Sequence, residues 1–225
     1  MVNILISSLR KTLSKNRFLF LIVCIFFFLL IGSFFDGYVG LRILIDLLVS
    51  LVFLLGIYAI SQKYHLSITA ALLALPMLVS LWLSHFTEIR LLNIFGSCCG
   101  ILFFAFIIFH IFSFILKRKN ITLEVINGGI LNYLLIGLMW SFIFNLLELL
   151  NPGSFSTGES LIKHNRLHFT YYSFVTLTTL GYGDITPLTA PACSLSILEA
   201  IVGQIYLTVL IAILVGMHIS QSKEK

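Results

Sequence analysis

The run Tyr171-Tyr172-Ser173-Phe174-Val175-Thr176-Leu177-Thr178-Thr179-Leu180-Gly181-Tyr182-Gly183-Asp184 decides how this chain folds. From His168 to Leu180 it is aromatic and apolar yet too short to cross a bilayer, and it breaks at two glycines, an aspartate and then Pro187. A short helix entering a membrane, followed by an extended return strand, fits this order. The carbonyls of that strand would be prohibitively costly against lipid, so they need a protein-lined, wet cavity or an ion.

The surrounding chain is written for a bilayer. Of its 225 residues, 59% are hydrophobic and 10% charged, with 21 Phe and a mean hydropathy of +1.07, whereas soluble domains carry about a quarter charged residues. Six apolar runs predict spans at Phe18 to Phe35, Leu41 to Ile60, Leu66 to Ser84, Ile89 to Leu116, Val125 to Leu150 and Ala192 to His218. Each can cross roughly 30 Å of hydrocarbon at about 1.5 Å per residue. The short connections Asp36 to Gly40 and Ser61 to His65 imply antiparallel neighbours. The first run is longer than a signal core and lacks a small-residue cleavage site, so it is expected to be retained. Cys24, Cys98, Cys99 and Cys193 form no C-x-x-C pair, and a buried thiol is the ordinary reading for those inside apolar runs.

Charge sets the orientation. If spans alternate, Arg10, Lys11, Lys15, Arg17, Lys63, Lys117, Arg118, Lys119, Lys223 and Lys225 share one side, leaving Arg42, Arg90, Lys163 and Arg166 for the other. The positive-inside rule then places both termini in the cytoplasm of a plasma or bacterial inner membrane, and Asn151 to Pro191 outside. The net charge of +5 therefore marks topology, with no nucleic-acid partner. Asn120-Ile121-Thr122 matches a glycan acceptor but falls on the cytoplasmic side, so no glycan is expected.

The stretch Thr179-Leu180-Gly181-Tyr182-Gly183-Asp184 resembles the selectivity filter of the tetrameric potassium-channel family, which commonly reads T-V-G-Y-G-D; Leu180 stands in place of the valine. The likeness is strongest from Leu146 to Ile219, and the position of the filter between two full spans is part of it. It implies an all-α membrane protein with six transmembrane helices, a re-entrant pore helix and filter between the fifth and sixth, and a homotetrameric pore. The chain would divide into a 1–17 cytoplasmic segment, an 18–119 four-helix peripheral domain, a 120–219 pore domain with its filter at 179–183, and a 220–225 tail. Following the resemblance, the carbonyls of Thr179, Leu180, Gly181 and Tyr182 bind K+, with the Thr179 hydroxyl closing the inner end. Gly181 and Gly183 permit the backbone geometry, Thr178 supports the inner mouth, and the Tyr182 ring braces the filter from behind. One filter strand per chain implies four copies, so the expected partners are the chain itself and membrane lipid. The permeant ion is K+; no cofactor is expected.

Asp184 is read as bracing the filter in preference to concentrating cations, with Tyr171 and Tyr172 as candidate partners. Val175 occupies a level where some relatives carry a glutamate, and it cannot make that acid's bond. Gly203 lies 20 residues beyond Gly183 and matches the family's glycine hinge, with helix packing the alternative. Glu199 lies one turn earlier, and an intramembrane acid there is functional by default; it either faces the pore or is neutral or paired behind the filter. Gln204 is a further inner-helix polar residue, read as tetramer packing or gating. His164 and His168 lie on the outer side, where modulation of ion flow is one reading.

The first four spans resemble the voltage-gated plan without its charges. Ile89 to Leu116 carries only Arg90, so strong voltage sensing is not expected. Asp46 is read as a structural partner of Arg90 or Arg42. With seven residues after His218, no soluble regulatory domain is expected there, and gating falls to the filter, the Gly203 region, lipid, tension, pH or a separate regulatory subunit. The main alternative is a nonselective or nonconducting channel-like subunit. A remote one is an intramembrane aspartyl protease, since Gly181-Tyr182-Gly183-Asp184 also has its G-x-G-D form; that chemistry needs two carboxylates in one site, with Asp46 the only other intramembrane aspartate. No enzyme activity is expected.

Overall fold

A backbone removed from water must satisfy its own polar groups, and a helix does so within one segment. The computed structural model describes residues 16–34, 39–61, 64–87, 89–118, 120–157 and 167–223. Its helices are α1 (Arg17–Phe34), α2 (Val39–Ala59), α3 (Tyr64–Leu83), α4 (Arg90–Leu116), α5 (Leu123–Leu150), α6 (His168–Leu177) and α7 (Ala190–Lys223). All six apolar runs are helical, and α6 covers the short aromatic run. Among the described residues four helices, α3, α4, α5 and α7, are long and apolar enough to cross a membrane. The apolar stretches of α1 and α2, Arg17–Leu30 and Ile43–Ala59, are shorter.

The helical class has one addition. Strands β1 (Phe155–Thr157) and β2 (Ile185–Pro187) pair antiparallel, Phe155 opposite Pro187 and Ser156 opposite Thr186. The hydroxyls of Ser156 and Thr186 meet at 2.7 Å, and the Leu188 N–H donates to the Ser154 carbonyl at 2.8 Å. Glu148 accepts from the N–H groups of Gly153 and Ser154, fixing the exit of the chain from α5. The segment before α6 and the segment after the glycines are thereby tied together.

One buried core runs from Phe18 in α1 to Leu138 in α5, so α5 closes the peripheral bundle as well as facing α6. Phe53 stacks on Phe103 with ring centres 4.5 Å apart, and Phe104 packs against both. At the start of α5, the Thr122 hydroxyl accepts from the Val125 N–H. Glu124 in the first turn meets the buried Arg17 at 2.9 Å, which joins the starts of α1 and α5. A second core, including Trp140, Phe144, Phe155, Tyr172, Leu177 and Tyr206, surrounds α6.

The expected Asp46–Arg90 pair is not made. Asp46 is fully buried and meets His85 Nε2 at 2.6 Å. Arg90 instead donates to the Leu149 carbonyl at 3.0 and 2.6 Å and to that of Leu150 at 3.3 Å. The end of a helix leaves carbonyls without intrahelical partners, and a guanidinium has five donors for them. The Arg42 side chain, Lys63, His164 and the loop residues 158–166 lie outside the described residues.

Helices α3 and α4 approach closely at Gly96, where a Cβ would lie 2.5 Å from the Ser80 Cβ. Gly96→Ala should force the two helices apart and lower the thermal unfolding midpoint in detergent, at a cost of about 1–3 kcal/mol. Ser80→Gly added to it should recover most of the loss; an unchanged midpoint in the single variant would contradict this packing.

Candidate functional site

Helix α6 ends at Leu177, and its last carbonyls hold the backbone that follows. The N–H of Thr178 donates to Phe174 O at 3.1 Å, that of Thr179 to Thr176 O at 2.9 Å, and that of Leu180 to Val175 O at 2.9 Å. The Thr178 hydroxyl donates to Phe174 O at 2.6 Å, so it secures the turn. Val175 therefore contributes its carbonyl to the site, at the level where its side chain has nothing to donate. The negative end of the α6 dipole lies at the start of this segment.

From here the sign of φ alternates. Thr179 (φ 59), Gly181 (φ 59) and Gly183 (φ 79) are positive, with Leu180 and Tyr182 negative between them. In an ordinary strand successive peptide units face opposite sides; alternating handedness turns them toward one side. The glycines adopt this at little cost. Thr179, a β-branched residue, does not, and backbone strain of this kind concentrates at functional sites. Among the described residues, no hydrogen bond ends on the carbonyls of Thr179, Leu180, Gly181 or Tyr182. Residues Thr178 to Gly183 are exposed in the single chain, Tyr182 to 66%.

Beside this segment, Tyr171, Tyr172 and Asp184 have polar partners. The Tyr171 hydroxyl donates to Asp184 Oδ2 at 2.5 Å, and Asp184 Oδ1 accepts from the Ile185 N–H at 3.0 Å. Burial first, then Asp184, pushes the Tyr171 phenol up to about 12, so it remains a donor at ordinary pH. Tyr172, the other candidate partner of Asp184, meets Ser196 at 2.6 Å instead. Its register one residue along α6 turns it toward α7.

Glu199 is fully buried. Its Oε1 meets the Ser173 hydroxyl at 2.5 Å, and Ser173 also reaches the Gly137 carbonyl at 2.7 Å. A serine has one hydrogen. Since the Gly137 carbonyl only accepts, both contacts are complete when Glu199 brings a proton. One acid thereby links α7, α6 and α5.

Gly203 has a packing reason: a Cβ there would lie 2.5 Å from the Leu177 carbonyl, and α7 runs helical through it. Gln204 is exposed, and its carbonyl accepts from the Thr208 hydroxyl. His168 is buried, and burial lowers its pKa against the raising pull of Glu148 and Asp184.

Residues 130–219 match the family model described as Ion channel. The match indicates an ion channel. It supports the pore-loop ion-channel family and points away from an enzyme, and with four apolar helices long enough to span it makes this a membrane protein. Neither a curated protein nor a solved structure matches the chain. The matched stretch contains α6, the alternating segment and nearly all of α7, and its start falls within α5.

Ser173, Ser196 and Tyr133 belong to the site without having been identified from the sequence; the Tyr133 hydroxyl reaches the Leu177 carbonyl at 3.4 Å. A lone serine inside an aromatic helix carries no signal until its partner 26 residues away is known.

Tyr171→Phe removes the donor to Asp184. Conduction should decay faster in prolonged recordings, with a stability loss of about 1–2 kcal/mol; currents as sustained as those of the parent chain would exclude the bracing role. Glu199→Gln should keep the unfolding midpoint, because an amide N–H can replace the acid proton at Ser173. Glu199→Ala should lower it by about 2–4 kcal/mol, and a Gln variant as damaged as the Ala variant would show that the carboxyl does not serve as donor.

Proposed function

We propose that this chain is the subunit of a homotetrameric, potassium-selective channel, with K+ coordinated by the carbonyls of Thr179, Leu180, Gly181 and Tyr182. The observation that carries this reading is the absence, among the described residues, of any hydrogen bond to those four carbonyls in a segment of alternating handedness. Oxygens left unpaired inside a membrane need a cation, and a ring of them replaces a hydration shell. Leu180 alters the side chain and leaves its carbonyl in place, so selectivity is expected to persist.

In this reading α1 and α2 also cross the membrane, α6 is the re-entrant pore helix, and both termini are cytoplasmic. Four copies follow because one strand encloses no ion. The exposure of α7 supports assembly: 17% of its apolar window is buried within the chain, against 56% for α5. Ile197, Ile201, Ile205, Ile211 and Val215 remain to be covered by lipid or by further copies. Strong voltage sensing is disfavoured, since Arg90 is engaged with the end of α5. The protease alternative loses its shared site, because Asp46 meets His85 and Asp184 meets Tyr171.

Purified protein in liposomes with opposed K+ and Na+ gradients should give a reversal potential near the potassium equilibrium value. A value near the sodium equilibrium value, or no current under any lipid composition, pH or voltage, would overturn the assignment. Gly183→Ala should abolish selectivity, because φ 79 admits a side chain only with strain.

A further inference from the structure

Away from the filter, a cavity of about 210 Å³ is bounded by α1 to α5 and by the first turn of α6. Asn93 and Ser97, one turn apart at the start of α4, line it together with Ser141 and Asn145, one turn apart near the end of α5. Residues four apart share a helix face, so two helices bring two amides and two hydroxyls to the same wall. The channel reading uses none of them.

Hydrogen accounting shows what this wall offers. Asn145 Nδ2 donates to Ser97 Oγ at 3.2 Å, and the Ser97 hydroxyl hydrogen meets no acceptor among the described residues. Asn93 Oδ1 accepts from the Ser80 hydroxyl at 3.4 Å, and its amide hydrogens likewise meet no acceptor there. Ser141 has given its hydrogen to the Leu138 carbonyl at 2.6 Å, so it offers lone pairs only. Donors and acceptors thus stand side by side. An apolar part adjoins them: Phe53, Phe104 and Phe142 also line the cavity and pack on one another, with ring centres 5.2, 5.6 and 6.3 Å apart.

Charge narrows the choice of ligand. Asp46 belongs to the lining and already meets His85 at 2.6 Å. A cation would have to compete with that partner, and an anion would meet a buried carboxylate. A hydrocarbon would cover the rings and leave the hydrogens of Asn93 and Ser97 unpaired.

We propose that this cavity binds a small neutral alcohol, its apolar body against the phenyl rings. Its oxygen accepts from Ser97 or Asn93, and its hydrogen goes to the lone pairs of Ser141 or Asn145. Thr170, in the first turn of α6, is part of the lining. A bound alcohol therefore touches the helix whose far end holds Thr178 and Thr179, which makes the cavity a modulatory site. That modulation rests on the channel reading, whereas the binding does not.

Ligand-observed NMR on the purified full chain in lipid nanodiscs, with empty nanodiscs subtracted, tests the site without measuring conduction. Benzyl alcohol should bind saturably and about tenfold more tightly than toluene, which has the same ring without the hydroxyl, the ratio expected for two neutral hydrogen bonds. It should also bind more tightly than benzylammonium. Ser97→Ala and Asn93→Ala should each weaken benzyl alcohol about threefold and leave toluene unchanged. Raising K+ should have no effect. Equal binding of alcohol and toluene, tighter binding of benzylammonium, or full alcohol affinity in both variants would overturn the proposal. Loss of binding on raising K+ would do so too, by placing the alcohol in the pore. If Ser97→Ala fails to fold, Asn93→Ala and the toluene comparison decide. Failure of the liposome assay would leave these ratios in place, and equal ratios would leave the channel reading in place.

Discussion

A carbonyl oxygen taken out of water has to meet a hydrogen or a cation, and the rest of this structure answers that demand. Between Thr179 and Tyr182 no hydrogen arrives among the described residues. Everything nearby holds the backbone in that state. The last turn of α6 takes up the N–H groups, Tyr171 and Asp184 fasten the far end, and the β1–β2 pair joins the two approaches. The N–H groups from Thr178 to Gly181 are satisfied while the carbonyls from Thr179 to Tyr182 are left open, and in the proposed pore this asymmetry would favour positive charge.

Holding an open row of carbonyls requires strain to be resisted by packing. Thr179 sits in a conformation that a β-branched side chain does not choose. The aromatic core around Trp140, Phe144, Phe155 and Tyr172 and the close approach of Gly203 to Leu177 supply the resistance. Glu199 completes it from behind: a buried acid with Ser173 as its partner is tolerated where an isolated charge would not be.

The helices were legible because apolar length is a local property of the sequence, and the break after α6 because two glycines around a tyrosine can be read without knowing any distant partner. The unread parts were those that need two distant residues at once. The strands β1 and β2 are three residues each, and neither has a pattern until it is paired across α6. Asp46 was given Arg90 or Arg42 on grounds of charge; Arg90 goes to the end of α5, the Arg42 side chain lies outside the described residues, and the fold brings in a histidine 39 residues away. Glu199 was recognised as consequential, but Ser173, which decides its state, was not. Thr179 at positive φ was hidden for another reason: residue preference forbids it, and tertiary structure imposes it.

Arg90 also has a mechanical meaning. The electric field of a membrane does work on a charge only in proportion to the distance that the charge travels, about 2.3 kcal/mol for a full crossing at 100 mV. A guanidinium fastened to the Leu149 and Leu150 carbonyls has almost no path to travel. In the proposed channel, the arginine that would serve as a lever in a voltage sensor is a rivet between the start of α4 and the end of α5, and little movement under the field is expected of it.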